Sequence, residues 1–335
     1  MKIFYVTNAR LPTEKAHGLA TIKICEALAK KGVEVTIFAP RRINPLRQDV
    51  YEYYRAERNF KVIFLPTLDF IWLGFGQRFF FLLQLFSFSF VSAFWLFFRY
   101  YLAGRLRGAV IFSHDHIPLF FASFFAPRVF YDIHHYPEHT AFYKRVLRRV
   151  FGISVQTKWK IEALSRDFGV SQDKIVYWPN GTDVNRFDIA VSRQEARAKL
   201  GLAHEQKIAL YTGSLQRWKG VETLAAAAEF LPANIVVYIV GGERREIEVF
   251  KTLSPKPPPA PTCQLARPGL RRAGETLNPI FVGQKPWAEM PLWLKAADVL
   301  VLPNTGKEKV SRFYTSPMKL FEYMASGRPI VASDI

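Results

Sequence analysis

Apolar residues fall in short blocks along this chain, and the spacing inside each block decides what it forms. Residues 3–7 are an apolar run of strand length, residues 19–31 repeat apolar positions at helical spacing up to Gly32, and residues 34–39 form a second run closed by Pro40. The pattern predicts a strand-helix-strand unit with a right-handed crossover. Further runs at 61–65, 109–113, 129–133 and 152–156 predict more strands of one parallel sheet. Ligands of such sheets lie at the carboxyl ends of the strands, where residues 8–18 and His134 fall. Residues 79–98 break the rhythm: they carry no charge, are dominated by Phe and Leu, and lie between Arg78 and Arg99. A stretch of about 20 such residues is long enough to span a bilayer. Spanning would put the strands before and after it on opposite sides, where they could not share a sheet. A helix packed on the sheet with one face in the membrane interface is therefore predicted, and an apolar core helix is the alternative.

The second half repeats the alternation and adds two polar turns. An apolar run at 208–211 stops at a small-residue turn and is followed by Lys219 and Gly220 before another helix, a geometry suited to holding phosphate with a lysine and backbone amides. Residues 316–335 read SPMKLFEYMASGRPIVASDI: Ser316-Pro317 opens a helix carrying Lys319 and Glu322, Gly327 closes it, and Pro329 leads into a strand.

With 335 residues, half of them hydrophobic, the chain can bury two cores. Its two cysteines, Cys25 and Cys263, match no CxxC or zinc spacing, so a reducing compartment and no structural metal are expected. No secretory succession precedes the first strand, which predicts a cytoplasmic protein. A net charge of +18 calls for a negative partner. Nucleic acid is disfavoured because the lysines and arginines are dispersed and no nucleic-acid motif appears, leaving anionic lipid headgroups and a diphosphate.

In order, the segments KIFYVTN, AHGLATIKICEALAKKGVEVTIFAP, VFYDIHHYPE, IVYWPNGTDVNRF, YTGSLQRWKGVETL, VYIVGG, IFVGQKPWAEMPLWLKAADVLVLP and SPMKLFEYMASGRPIVASD are spread from residue 2 to residue 334. The series resembles the family-4 retaining glycosyltransferases of the GT-B type. The resemblance implies an α/β protein of two Rossmann-like domains facing a cleft, residues 1–185 on the acceptor side and 186–335 holding a nucleotide-diphosphate sugar, with no cofactor and no metal. It implies a glycan or lipid-linked acceptor and a peripheral place at the inner face of the cell membrane.

Residue by residue, Lys219 matches the family's phosphate lysine, followed by Gly220 and preceded in the same turn by the glycine Gly213. The family usually has an arginine after that glycine, where this chain has Ser214, so Arg217 or Lys319 could supply the missing cation. Glu322 matches the second acid of the family's E-x7-E signature, which implies hydrogen bonds to the donor ribose. The first acid of that signature falls at Tyr314, a departure that moves sugar recognition to Tyr314, Thr315 and Ser316 or marks a subgroup with a different loop. Met318 and Lys319 match the positions whose amides meet the diphosphate, and the turn from Gly283 to Lys285 is where the base would rest. Gly18 resembles the glycine whose amide approaches the donor phosphate or acceptor. His134 matches the histidine beside the reacting sugar, with Asp132 two residues earlier placed to orient it. His114 and His116 flank Asp115, and alternation leaves them without a fourth metal ligand, so a cleft-lining or structural role is expected.

Two features depart from the family. Residues 253–277, rich in proline, interrupt the place where a helix should join VYIVGG to IFVGQ, as an insertion or a shifted reading frame would. Family members also continue beyond the strand at 330–335, so an incomplete second domain, a truncated copy or a fragment, is expected. A non-catalytic nucleotide-sugar or membrane-binding homologue is the alternative function. An NAD-dependent oxidoreductase is disfavoured because no G-x-G-x-x-G follows the first strand.

Overall fold

A computed structural model describes residues 1–232, 234–253 and 279–335, so the proline-rich residues 254–277 lie outside the described residues. The chain divides into two compact units, Met1–Trp178 and Pro179–Ile335. The break precedes the 185/186 boundary expected from sequence, which would cut a short helix whose Phe187 is buried in the second unit's core.

The first unit runs β1 (Lys2–Val6), α1 (Ala16–Lys30), β2 (Glu34–Pro40), α2 (Val50–Tyr54), β3 (Lys61–Leu65), α3 (Gln77–Leu96), β4 (Ala109–Ser113), α4 (His116–Ala122), β5 (Val129–Ile133), α5 (Ala141–Arg149), β6 (Gly152–Val155), α6 (Lys158–Phe168) and β7 (Ile175–Tyr177). Its seven strands are all parallel, in the order β3-β2-β1-β4-β5-β6-β7. β1 is central and buried on both faces, which is why KIFYV is a continuous apolar run rather than an alternating one. Right-handed crossovers send the connections on the two sides of β1 to opposite faces. Phe88 and Leu96 of α3, Leu119 of α4, Val146 of α5 and Leu164 of α6 pack into one core, while Ile22 of α1 and Tyr54 of α2 pack into the other.

The second unit runs α7 (Val184–Phe187), α8 (Arg193–Leu200), β8 (Lys207–Thr212), α9 (Val221–Ala228), β9 (Ile235–Val240), α10 (Arg244–Leu253), β10 (Ile280–Gly283), α11 (Met290–Ala296), β11 (Val299–Leu302), α12 (Met318–Ser326) and β12 (Ile330–Ala332). Five parallel strands lie in the order β10-β9-β8-β11-β12. A buried guanidinium fixes where β8 starts. Arg197 donates to Asp298 Oδ2 (2.6 Å) and to the carbonyls of Ala296, His204 and Gln206, and the same carboxylate oxygen accepts the Ile208 amide at 2.7 Å. Breaking one partner of such a buried pair typically costs about 3–5 kcal/mol.

Gln77–Tyr101 is long and apolar enough to cross a membrane by length and composition. The sheet rules that out: β3 before it and β4 after it belong to one seven-stranded sheet, and α3 packs on α4 along that sheet's face.

Candidate active site

Three neighbouring strands of the second unit end in glycine at the same edge: Gly213 after β8, Gly241 and Gly242 after β9, and Gly283 at the end of β10. All four have positive φ. A Cβ on Gly241 would overlap the Gly213 carbonyl, and a Cβ on Gly213 would overlap the Lys319 side chain. These glycines clear the carboxyl edge of the sheet, where open α/β sheets receive ligands. The Gly241 amide donates to the Gly283 carbonyl at 2.8 Å, which ties the turn before the exposed Lys285 to the site.

Two lysines converge on this opening. Lys319, in the first turn of α12, lies over Gly213 and donates from Nζ to the Tyr211 hydroxyl at 3.1 Å. Tyr211 in turn donates to the Ser214 carbonyl at 2.8 Å, so the hydroxyl is oriented to accept from the lysine. Lys219 ends the single turn Arg217–Lys219, with its ammonium 4.0 Å from the Trp218 ring centroid. Gly220 follows with φ +68 and its α-carbon against the Pro303 carbonyl, leaving no room for a side chain. Burial, and then the positive charge of Lys219, hold the Lys319 amine well below the ordinary lysine value, and burial also lowers Lys219. Two amines brought together at a helix N-terminus form a site that gains from an anion. Of the two cations considered for the place vacated at Ser214, Lys319 reaches the Gly213 turn, whereas Arg217 is exposed.

Glu322 follows Lys319 by one helical turn, so both point from the same face of α12. Burial pushes its pKa up to about 7 against the opposing pull of Trp287, Lys319 and Arg186. Arg186, on α7, stacks its guanidinium 3.3 Å from the Trp287 ring centroid, which makes a wall beside Glu322. α12 is fixed from both ends: Tyr323 accepts from the Thr212 amide (2.9 Å), and the Ser316 carbonyl before the helix accepts from Asn180 Nδ2 (2.6 Å). Met318 is the first residue of α12. Thr315 donates to the Val310 carbonyl at 2.6 Å and so closes the turn that ends at Tyr314.

A carboxyl whose pKa is pushed up to about 7 gives a prediction with a definite sign. If Glu322 accepts from the donor ribose, as the resemblance implies, that contact needs the ionised form, so its contribution to donor affinity rises as pH passes upward through about 7. Glu322→Gln removes that rise and weakens binding by roughly 10- to 100-fold, the worth of charge-assisted hydrogen bonds. Calorimetric titrations with UDP between mildly acidic and neutral pH check both points, and an unchanged pH profile in the variant would assign the titration elsewhere.

In the first unit, His134 follows β5 and its Nε2 lies 2.8 Å from Asp132 Oδ2. Asp132 also accepts from Ser154 (2.7 Å) and Gln156 (2.9 Å). Burial alone would raise the Asp132 pKa, but the hydrogen bond and charge of His134 and the Ser154 bond hold it below the usual carboxylate range. The fixed carboxylate orients the imidazole and leaves Nδ1 open for a ligand. Lys160, fully buried, donates to the carbonyls of Ile133 and His134 and to Gln156, and burial lowers its pKa to about 8. His114 stacks edge-on to His134 with ring centroids 6.0 Å apart and bonds Tyr5, while His116 bonds Tyr143. Among the described residues no group of three His, Cys, Asp or Glu side chains could hold a metal. The Gly18 amide donates to the Lys15 carbonyl (3.1 Å), and a Cβ there would overlap Thr13 and the Tyr54 hydroxyl. Close packing of the loop thus accounts for that glycine in this structure.

Residues 20–186 match the family model described as Glycosyltransferase Family 4, and residues 206–335 match Glycosyl transferases group 1. The chain belongs to the family-4 glycosyltransferases of the GT-B type. The D-inositol 3-phosphate glycosyltransferase of Streptomyces scabiei is 26% identical over 202 residues, 57% of this chain and 40% of that one. The chain thus spans about two fifths of the length of this curated relative. Among solved structures, Anabaena HepE in complex with UDP superposes with a TM-score of 0.64 at 18% identity, covering 99% of this chain and 80% of HepE. Sucrose-phosphate synthase from Thermosynechococcus elongatus gives 0.65 at 21% identity, with 99% and 80% covered.

Sequence reasoning placed Lys219, Lys319, Glu322 and His134 but assigned no role to Arg186, Trp287, Asn180 or Lys160. Arg186 and Asn180 stand in the quoted IVYWPNGTDVNRF segment and Trp287 in IFVGQKPWAEM, so each lay beside a recognised landmark.

Proposed function

We propose that this chain transfers a sugar from a nucleotide-diphosphate sugar to a glycan or lipid-linked acceptor at the inner face of the cell membrane, with retention at the anomeric carbon. The observation that carries the reading is the pair of lysine amines at the N-terminus of α12, one turn from a carboxylate suited to ribose hydroxyls. The bond from the anomeric carbon to the β-phosphate oxygen breaks with its electron pair passing to the diphosphate. The acceptor hydroxyl oxygen bonds that carbon on the face the diphosphate leaves and gives its proton to the departing phosphate oxygen. Lys219, Lys319 and the helix end stabilise the charge that develops on the leaving group, which is where preorganised cations act most strongly. His134, held by Asp132 at the carboxyl end of β5, offers its imidazole as a hydrogen-bonding group for a sugar hydroxyl. The alternative, a homologue that binds nucleotide sugars without turnover, shares the same donor contacts.

Release of free nucleoside diphosphate from a panel of UDP- and GDP-sugars separates the two. Acceleration by a glycan or lipid-linked acceptor is expected for a transferase. Donor binding without release, under all acceptors tried, would favour the non-catalytic homologue. HepE, solved with UDP and with UDP-glucose, makes UDP the first nucleotide to test.

A further inference from the structure

α3 is apolar on both faces: Phe88, Ala93 and Leu96 are buried in the core, yet its outer face is aromatic too. Phe79, Phe86, Phe90, Phe94 and Phe98 form an exposed stripe, spaced mostly by four residues, of which Phe79 is 65% and Phe90 61% exposed. The opposite, buried face carries Gln84 and Ser89, both 0% exposed, and Ser92 at 1%. The polar residues are satisfied inside: Gln84 exchanges two hydrogen bonds with the Asn8 side chain, and Ser89 and Ser92 donate to carbonyls of their own helix. A helix that buries its polar positions and presents its aromatic ones requires apolar surroundings on the outer face.

The charge around the stripe says which surroundings. α5 covers the same face of the sheet, since Val146 and Leu147 share a core with Phe88 and Leu96 of α3. Its outer positions are Lys144, Arg145, Arg148 and Arg149, all exposed. Arg149 stacks 4.3 Å from the ring centroid of exposed Phe124, and Arg128 lies 5.9 Å from that of exposed Phe151, so guanidinium groups border the aromatic surface directly. Between α3 and the end of α4, Phe90, Phe94, Phe98, Phe121, Phe124 and Phe125 line an open groove of about 270 Å³ with almost no polar wall. An apolar ridge, an apolar groove and a basic band on one face match a lipid layer with negative headgroups.

We propose that the α3–α4–α5 face docks on a bilayer containing anionic lipid, with the α3 phenylalanines in the acyl boundary, an acyl chain in the groove and the α5 cations on the phosphates. This deepens the membrane part of the reading above by assigning the surface and the lipid charge, and it is independent of donor binding. α3 lies flat, because its two ends lead into strands of one sheet. On the buried side of this helix Gln84 bonds Asn8, whose backbone amide donates to Asp115 beside His114, so α3 contacts the loop that opens at the end of β1 through the face turned away from the lipid.

Co-sedimentation with vesicles of phosphatidylcholine alone, and of phosphatidylcholine with one third phosphatidylglycerol, tests the assignment. The wild-type chain should bind the anionic vesicles at least tenfold more tightly than the neutral ones, with the preference reduced by salt. Replacing Lys144, Arg145, Arg148 and Arg149 by Gln should abolish the preference, and Phe86→Ser, Phe90→Ser and Phe94→Ser together should abolish binding to both. Circular dichroism melts confirm that each variant folds, and UDP titrations report the donor site separately. Failure of the wild type to bind either vesicle would overturn the docking face while leaving the donor site untouched. Vesicle binding unchanged in both variants would also overturn it. A dimer lost in the Phe variant, with no vesicle binding, would make the face a contact between two copies of the chain.

Discussion

Lys319→Met is expected to lower UDP affinity by about 100-fold or more while making the free protein more stable to heat. The binding loss follows from removing a charge-assisted contact to the diphosphate in a partly buried site, worth roughly 3 kcal/mol. The stability gain follows from the sign of the pKa shift. In the folded chain the Lys319 amine lies well below its ordinary value, first through burial and then through Lys219. The folded state therefore disfavours the charged amine, and this penalty is present at neutral pH and fades as pH rises towards the unfolded value. Methionine keeps the stem and removes the penalty. A bound diphosphate would offset the penalty by favouring the charged amine. Loss of affinity together with a lower melting temperature would instead mean that Lys319 serves the fold.

His134→Ala should slow transfer by about 100- to 1,000-fold, the usual range for losing one preorganised hydrogen bond at a reacting centre, with UDP affinity unchanged within about twofold. The expectation rests on a ring whose Nε2 is committed to Asp132, which fixes the imidazole at the carboxyl end of β5. Asp132→Asn should produce a smaller loss with the same split, because the amide can hold the ring in the wrong tautomer. Steady-state rates with the best donor and acceptor, alongside calorimetric UDP affinities, check both variants. Full turnover in His134→Ala would return the residue to a structural place at the end of β5.

The parallel sheets were legible because their signal is local. KIFYV, VFYDI and KIALYT each carry enough consecutive apolar residues to declare a strand buried on both faces, and all three lie where the runs predicted. Lys219 and Glu322 were legible as motif positions. The contact that gives Lys319 its meaning was not, because Tyr211 and Gly213 lie on a different strand ending far away in the chain. The same holds for Lys160, a lysine in a polar stretch whose burial depends on carbonyls at the end of β5. In α3 the uniform apolar run hid the orientation. Its few polar residues, Gln84, Ser89 and Ser92, mark the inward face, contrary to the rule for a helix in water, so pattern alone would have turned it the wrong way.

The central claim is a nucleoside-diphosphate site at the glycine-lined edge of the second sheet, and a calorimetric titration of UDP and then GDP into the chain tests it most directly. The account predicts saturable binding of one nucleotide per chain with a dissociation constant of about micromolar order, near −8 kcal/mol, and a marked loss in Lys319→Met. Absence of saturable heat with both nucleotides at millimolar concentration, in a chain shown to be folded, would contradict it.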